Sequence, residues 1–465
     1  MRFLNRYYTA YDLLLVLGDL VLVLGASLIV REMVAPTGSS TDDSWPTSVL
    51  HGIAMAVIVA TAFYYSDLYA IDQTLSIHEL LHRFVAGLGV ACIVIGIISY
   101  PIPNFGKSIY ISEMIVMGMS LGLWRLGFMR VIQQAGIRAK VLIVGTRTIG
   151  RMVAEELYLK KTLGMDVVGF VGENAGQMTL SYGNPKKVQI PIFAPLSLSD
   201  LIASNDVNRI LLAGAGHFPQ SYNKELVAVR TMGVPIEDCH SFYERLASKI
   251  AITDLPPEWI ALSEGFRRDR LILAAKRVID VLVAFLGLIL SAPLALVTAI
   301  AIKSESSGPV FYRQERVGQN EKRFTLFKFR SMAEGAEDQM GPVWAAENDP
   351  RVTSVGAIIR KLRIDEIPQM INVLKGEMSF VGPRPERPYF VEQLKQTIPY
   401  YDLRHSVKPG ITGWAQISYQ YGDSERDAIE KLQYDLYYIK HMSPVFDLQI
   451  IFESIKVILF GWGAR

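Results

Sequence analysis

Apolar residues fill four long runs near the start of the chain, roughly Tyr11–Val30, Val49–Tyr65, Phe84–Tyr100 and Ile109–Phe128. Each is close to the ~20 residues that a helix needs to cross a hydrocarbon core, which predicts a four-helix transmembrane unit over 1–135. From Ala139 the pattern shortens. "AKVLIVG", "DVVGFVG", "NRILLAGA" and "VPIEDC" are strand-length apolar runs separated by helix-period segments. Strands alternating with helices predict a parallel sheet with helices packed on it, over 136–248. A Pro-interrupted, then charged stretch, 249–270, reads as a linker. A fifth long apolar run, "KRVIDVLVAFLGLILSAPLALVTAIAIK" at 276–303, opens the last region, 271–465.

Charge placement turns these runs into a topology. Arg2 and Arg6 precede the first run, and Arg125, Arg130, Arg138 and Lys140 end or follow the fourth. The first loop carries Glu32, Asp42 and Asp43 against Arg31. Both ends of the four-helix unit are therefore expected in the cytoplasm. Ionisable residues inside the runs are few, Asp19 foremost, either near a helix end or paired in the bundle. A transport path would need more of them, so the unit reads as an anchor. The fifth run differs: Lys276 and Arg277 flank it on one side, Lys303 on the other, and Pro293 near its middle interrupts helical hydrogen bonding. Equal basic flanks and a central break predict a re-entrant hairpin that enters the cytoplasmic leaflet and returns. A plain fifth span would instead place everything beyond 303 outside the cell.

Composition narrows the class. With 465 residues, 50% of them hydrophobic, the chain has room for two or three domains and suits a membrane protein. A net charge of +2 provides no field for nucleic acid. The two cysteines, Cys92 and Cys239, argue against a disulfide framework or a cysteine zinc site. The start "MRFLNRYY" runs into apolar sequence without a small-residue cleavage site and reads as an anchor. In the α/β region the first turn, "GTRTIG", has Gly145 and Gly150 but Arg147 where a dinucleotide fingerprint has its middle glycine. That glycine lets a pyrophosphate approach the backbone, so this Rossmann-like domain is expected to be structural or regulatory. The same defect argues against a membrane-anchored nucleotide-sugar dehydratase or epimerase. Such an enzyme also needs Tyr-x-x-x-Lys on a helix, and Tyr182 to Lys186 falls in the turn-like "SYGNPKK".

The last region carries the candidate chemistry. Lys303 to Arg330 holds seven basic residues against three acidic ones. Strand alternation in "RFTLFKFRSM" puts Thr325, Phe327 and Phe329 on one face and Lys328 and Arg330 on the other. A membrane-facing strand would explain Lys322 and Arg323 better than Lys328 and Arg330. In "LRIDEIPQMINVLKGEMSFVGPRPER" adjacent carboxylates, Asp365 and Glu366, precede Pro368 at a helix start, and Arg384 is held between Pro383 and Pro385. A capping aspartate and a solvated glutamate would give the same pattern. Arg360, Arg363 and Arg384 bracket the pair, however, and helix N-termini favour anions. Phosphate could thus be gathered beside an attacking carboxylate or a carboxylate-bound cation. Residues adjacent on a helix point about 100° apart, so the two carboxylates are expected to have separate roles. "SVKPGITGWAQISYQYG" suggests a base- or sugar-binding loop around Trp414, and Val445–Trp462 an interfacial helix or a buried one.

"KRVID…SAP", "LFKFRSM", "RIDEIPQMINVLKGEMSFVGPRPE", "KPGITGWAQ" and "YDLYYIK", in this order, resemble the bacterial polyprenol-phosphate hexose-1-phosphate transferases. These are the monotopic phosphoglycosyl transferases that initiate exopolysaccharide and O-antigen synthesis. The upstream half resembles the long form of that family. The resemblance implies a small mixed α/β catalytic domain on the cytoplasmic face of the bacterial inner membrane, anchored by a re-entrant hairpin. It implies transfer of hexose 1-phosphate from a UDP-sugar, UDP-glucose or UDP-galactose favoured, to undecaprenyl phosphate, with release of UMP. It further implies Mg²⁺, a covalent intermediate on Asp365 (also the metal position), an assisting role for Glu366, and phosphate binding by Arg360, Arg384, Lys328 and Arg330. A homodimer is a further implication of the long form. The family commonly has Ser-Pro at the helix break, whereas here Ala292 precedes Pro293 and the serine is Ser291.

Overall fold

The computed structural model describes residues 2–3, 6–7, 10–34, 45–66, 68–69, 77–99, 107–135, 139–159, 164–181, 187–194, 197–214, 220–266, 269–333, 335, 351–419 and 424–460. Asp42, Asp43, Arg138, the Tyr182–Lys186 spacing and Trp462 lie outside the described residues. The chain divides into two compact units, in the main 7–239 and 240–465.

Two short strands, β1 (Arg2–Phe3) and β2 (Arg6–Tyr7), precede four helices, α1 (Ala10–Val34), α2 (Trp45–Tyr65), α3 (Ile77–Ser99) and α4 (Lys107–Ala135). All four are long and apolar enough to cross a membrane. They bury Val23, Val59, Phe63, Ile95, Met117 and Leu121 in one cluster, while Leu17, Val21, Val57, Ile97 and Leu123 stay exposed on the outside. Helices apolar on every side belong in a lipid environment or a larger core. Asp19 is paired inside the bundle: Arg125 donates to its Oδ2 at 2.5 Å and to the Leu68 carbonyl at 2.8 Å. A second buried acid, Glu113, accepts from Ser27 Oγ at 2.9 Å and faces His51. The apolar pattern alone did not single it out.

The rest of the first unit is a six-stranded sheet. Its strands are β3 (Ala139–Val144), β4 (Met165–Val171), β5 (Gly176–Ser181), β6 (Lys187–Phe193), β7 (Arg209–Leu212) and β8 (Ile236–Asp238), in the order β5-β6-β4-β3-β7-β8. The four strands read from apolar runs are all present. The β5–β6 hairpin, antiparallel and largely exposed, is an addition whose polar alternation carries little signal. α5 (Thr148–Leu159), α6 (Leu198–Asn205) and α7 (Gln220–Thr231) flank the sheet. Gly145, at φ 104°, passes so close to the Ala213 carbonyl that a Cβ there would stand 2.6 Å from its oxygen. Arg147 lies against Gly214 across that turn, so its side chain occupies the space a middle glycine would leave open.

In the second unit α8 (Cys239–Ala247) and α9 (Pro257–Leu262) lead to the 36-residue α10 (Arg270–Glu305). Within 249–270, expected as a linker, Ile250, Ile252 and Leu255 enter the main core. α10 is capped by the Asp269 carboxylate on the Leu271 N–H at 2.9 Å, contains Pro293, and is 11% buried over its length. β9 (Phe311–Val317) and β10 (Arg323–Phe329) form an antiparallel hairpin. α11 (Ser354–Lys361), a 3₁₀ turn at Ile364–Glu366, α12 (Gln369–Lys375) and β11 (Ser379–Val381) follow. α13 (Pro388–Thr397), β12 (Gly410–Thr412), α14 (Trp414–Ser418), α15 (Glu425–His441) and α16 (Pro444–Phe460) complete the unit. β11 and β12 pair in parallel. Trp414 is not a ligand platform. It is buried, donates Nε1–H to the Ser248 carbonyl at 2.8 Å, and packs on Tyr437 and Phe446. α16 is two-faced: Phe446 and Ile450 are core, while Val445, Leu448, Phe452 and Ile455 are exposed.

Candidate active site

The site is set by where α11 stops. Thr353 caps its start, accepting from the Gly356 N–H at 2.9 Å, and Arg363 ends it in the left-handed region at φ 58°. A non-glycine residue there costs about 1 kcal/mol, and the reversal aims the next 3₁₀ turn inward. Asp365 and Glu366 are consequently both buried, at 6% and 8% exposure, so the solvated-glutamate reading fails.

Cations converge on one oxygen of the pair. Glu366 Oε1 lies 2.8 Å from Arg384 NH2, 3.3 Å from Lys328 Nζ and 3.7 Å from Arg363 NH1. Asp365 Oδ2 has Lys328 Nζ at 3.6 Å. Burial pushes the Glu366 carboxyl up, but Arg384, Lys328 and Arg363 outweigh it and hold the group well below its ordinary range. Burial also pushes Asp365 up; Lys328 opposes, Glu366 adds to the rise, and the net shift is upward. The carboxylates are thus unequal. Glu366 is an ionised anchor for three cations, and Asp365 is the less tightly held of the two. Among the described residues, three cations face these two carboxylates, which suits an anion.

Lys328 arrives on β10, and β10 is fixed by Asn372. This fully buried side chain in α12 accepts from the Phe327 N–H at 3.1 Å and donates to the Thr325 carbonyl and to Glu377 Oε2, each at 2.7 Å. Arg384 is fixed through its backbone. Arg404, buried, donates to the Arg384 carbonyl and to Asp435 Oδ2, both at 2.9 Å, and to Tyr401 at 2.6 Å. Arg316 holds the Pro385 carbonyl at 3.0 Å, and the Gly410 N–H holds that of Pro383 at 2.9 Å. A Cβ at Gly410 would stand 2.1 Å from the Gly382 nitrogen, so only glycine lets these strands approach.

Of the expected site residues, Asp365, Glu366, Lys328 and Arg384 come together. Arg330 does not join them. It follows the last residue of β10 and turns back to the C-terminus of α10, donating to the Ser306 and Ser307 carbonyls. A helix end with unpaired carbonyls claims it. Arg360, in the last turn of α11, makes no side-chain hydrogen bond or ion pair among the described residues. Ser291 Oγ donates to the Gly287 carbonyl at 2.6 Å. Pro293 instead frees the carbonyl four residues before itself, at Ile289, so the shifted serine leaves that group to others. Asn372, Arg404 and Asp435 were not foreseen; a buried amide inside "QMINVLK" was their one visible signal.

The profile described as bacterial sugar transferase matches residues 271–461. Within that region the chain is 39% identical to the exopolysaccharide production protein PSS of Rhizobium leguminosarum bv. phaseoli, covering 94% of that protein and 39% of this chain. The chain belongs to the bacterial sugar transferase family. Asp365, Glu366, Lys328 and Arg384, and the residues that fix them, lie in the matched region. Two further relatives differ in reach. The chain is 50% identical to an Aeromonas hydrophila protein named UDP-N-acetylgalactosamine-undecaprenyl-phosphate N-acetylgalactosaminephosphotransferase, over 41% of this chain and 45% of that one. It is 28% identical to a Xanthomonas campestris pv. campestris protein named UDP-glucose:undecaprenyl-phosphate glucose-1-phosphate transferase, over 98% of this chain and 96% of that one. The match thus spans less than half of the Aeromonas relative and nearly all of the Xanthomonas one.

Proposed function

We propose that this bacterial sugar transferase moves hexose 1-phosphate from a UDP-sugar to undecaprenyl phosphate, releasing UMP, as the first membrane step of a bacterial polysaccharide. The observation that carries the reading is the convergence of Arg384, Lys328 and Arg363 on Glu366 beside the looser Asp365. Transfer between a diphosphate and a lipid phosphate brings two anions together, so the site must supply positive charge and a nucleophile of its own. An Asp365 oxygen attacks the sugar-bearing phosphorus; the bond to the bridging oxygen breaks, and UMP leaves with its electron pair. A phosphate oxygen of undecaprenyl phosphate then attacks the same phosphorus and displaces Asp365 as its carboxylate. Arg384 and Lys328 stabilise charge on the phosphoryl oxygens, and Glu366 keeps those cations aimed between turnovers.

Mg²⁺ fits this site in one way. Among the described residues no three His, Cys, Asp or Glu side chains gather, and Mg²⁺ commonly binds one or two carboxylates together with substrate phosphates. Asp365 would hold it, because Glu366 Oε1 is already surrounded by cations; when bound, the ion neutralises diphosphate charge.

For topology we propose a cytoplasmic-facing enzyme with a four-helix transmembrane unit, a Rossmann-like domain and a re-entrant α10. In support of re-entry, both arms of α10 pack on one small domain. Arg277 holds carbonyls of α12, and Ile302 packs with Phe329 and Ile359. A straight helix would put Ile302 about 38 Å from Arg277, whereas Asn372 of α12 bonds to Phe327, two residues from Phe329. Contact sites so close on the domain favour a bend near Pro293. In support of the Rossmann-like reading, the parallel strands follow the doubly wound order.

The deciding assay is UMP release from a panel of UDP-sugars with undecaprenyl phosphate and Mg²⁺, wild type against Asp365→Asn. Release with one sugar, abolished in the variant, is expected and names the donor; release undiminished in the variant would overturn the covalent reading. Cysteine labelling beyond 303 from the outer face alone would overturn the re-entrant one.

A further inference from the structure

At the end of α12 away from Asp365, three cations and two carboxylates meet at the foot of α10. Lys276 is satisfied, donating to Asp447 Oδ2 at 2.6 Å and to the Val381 carbonyl at 2.9 Å. Asp280 Oδ1 accepts from Ser379 Oγ at 2.9 Å and from the Phe380 N–H at 2.8 Å. Arg277 donates to the Val373 and Leu374 carbonyls at 2.6 and 2.9 Å. Glu377, next to the site in sequence, gives its Oε2 to Asn372.

Lys408 has no such partner. It is half-buried, and among the described residues its Nζ has no hydrogen-bonded acceptor. A Cβ on Gly376 would lie 3.6 Å from Lys408 Nζ and 3.7 Å from Arg277 NH2. The two like charges therefore stand within about 7 Å of each other, a repulsive pairing, across a space that a glycine leaves open. Gly376 sits at φ 84°, the left-handed close of α12, so that space is built into the helix end. Burial and then Arg277 push the Lys408 ammonium below its ordinary range; Asp280 opposes this and Lys276 adds to it. Of these three cations, Lys408 alone lacks a hydrogen-bonded acceptor among the described residues.

The surroundings indicate the anion. Val278, Leu282 and Phe285 of α10 and Val445, Leu448 and Phe452 of α16 are exposed apolar residues on two helices that pack together. Where such faces lie in a bilayer, a basic group at their foot stands at the level of lipid phosphates. We propose that Lys408 and Arg277 form a binding site for the phosphate of an anionic phospholipid, separate from the carboxylate pair. Lys408 Nζ donates to a phosphate oxygen, Arg277 supplies a second positive charge, and the acyl chains follow α10 and α16. The seven residues of α12, about 10 Å of helix, keep this lipid away from Asp365. The inference rests on the membrane placement of α10 argued above, and not on the transfer chemistry.

The test uses the full chain in a neutral detergent with dioleoylphosphatidylglycerol, dioleoylglycerol or inorganic phosphate, read by native mass spectrometry and thermal shift. Phosphatidylglycerol should bind wild type about fivefold more tightly than Lys408→Gln, as one lost charge contact implies, and Lys408→Arg should restore it. Dioleoylglycerol, with the same chains and no phosphate, should not distinguish the variants. Equal phosphatidylglycerol binding by wild type and Lys408→Gln would overturn the site. So would a wild-type affinity indifferent to added salt, a result that needs no variant. Inorganic phosphate stabilising as strongly as the lipid would overturn the lipid assignment in favour of a free anion. Failure of the membrane placement itself would show separately, as cysteines introduced along α10 reacting freely with aqueous reagents in native membranes.

Discussion

Replacing Arg404 by Met should divide two roles that the wild type combines. The guanidinium is the counter-charge of buried Asp435, 2% exposed, and the donor that holds the Arg384 carbonyl. Its loss leaves a buried carboxylate unpaired, which costs about 3–5 kcal/mol. In a unit of this size 1 kcal/mol moves Tm by about 2–4 °C, so the transition of the second unit should fall by roughly 6–20 °C. Adding Asp435→Leu removes the orphaned charge, and apolar replacement of both partners is often neutral or better, so most of that loss should return. Activity should not return with it. Neither variant restores the hydrogen bond to the Arg384 carbonyl, and a misplaced phosphate-binding group costs on the order of 10–100-fold in rate. Calorimetry in detergent and UMP release on the same preparations read both quantities. A double variant that regains activity together with Tm would show that Arg404 is structural only. A single variant melting like wild type would refute the buried-pair energetics.

Glu366→Gln keeps shape and removes the charge on which Arg384, Lys328 and Arg363 converge; UMP release should drop at least about tenfold, and unchanged kinetics would contradict the anchoring role. Asn372→Ala strands the Phe327 N–H and the Thr325 carbonyl, at about 1–3 kcal/mol for each unsatisfied group; a Tm shift below about 2 °C would be too small for this account. Burial pushes Asp435 up to about 6. A folded value above that of an unfolded aspartate means that acidification through this window favours folding through this group. Activity should nevertheless fall below about pH 6 as neutral Asp435 releases Arg404; a Tm falling in parallel, or an acid limb unmoved in Asp435→Asn, would count against it. Pro293→Ala should straighten α10 and abolish transfer, and a fully active variant, measured by the same UMP assay, would sever the link between bend and catalysis.

Runs of some 20 apolar residues and short runs between helical periods are local properties of the chain. That is why the four long helices, the strands β3, β4, β7 and β8, and the α10 segment were legible in the sequence. The pairing of Asp365 with Glu366 was legible too, because adjacency in sequence is adjacency in space. Which of the candidate cations reach the pair, and which oxygen they meet, was not. Lys328, Arg363 and Arg384 reach one Glu366 oxygen from three different elements, and a left-handed Arg363 aims that oxygen inward. Arg330 matched Lys328 in type and periodicity, but β10 ends at Phe329, and the carbonyls closing α10 take the next arginine. Trp414 sat in a glycine-rich segment that suits a ligand loop, yet Tyr437 and Phe446, brought up by α15 and α16, make it core. The side chain's own chemistry determined what each residue was able to do. Which ability was used depended on partners distant in sequence, because a buried charge or indole must be satisfied by whatever the tertiary fold places beside it.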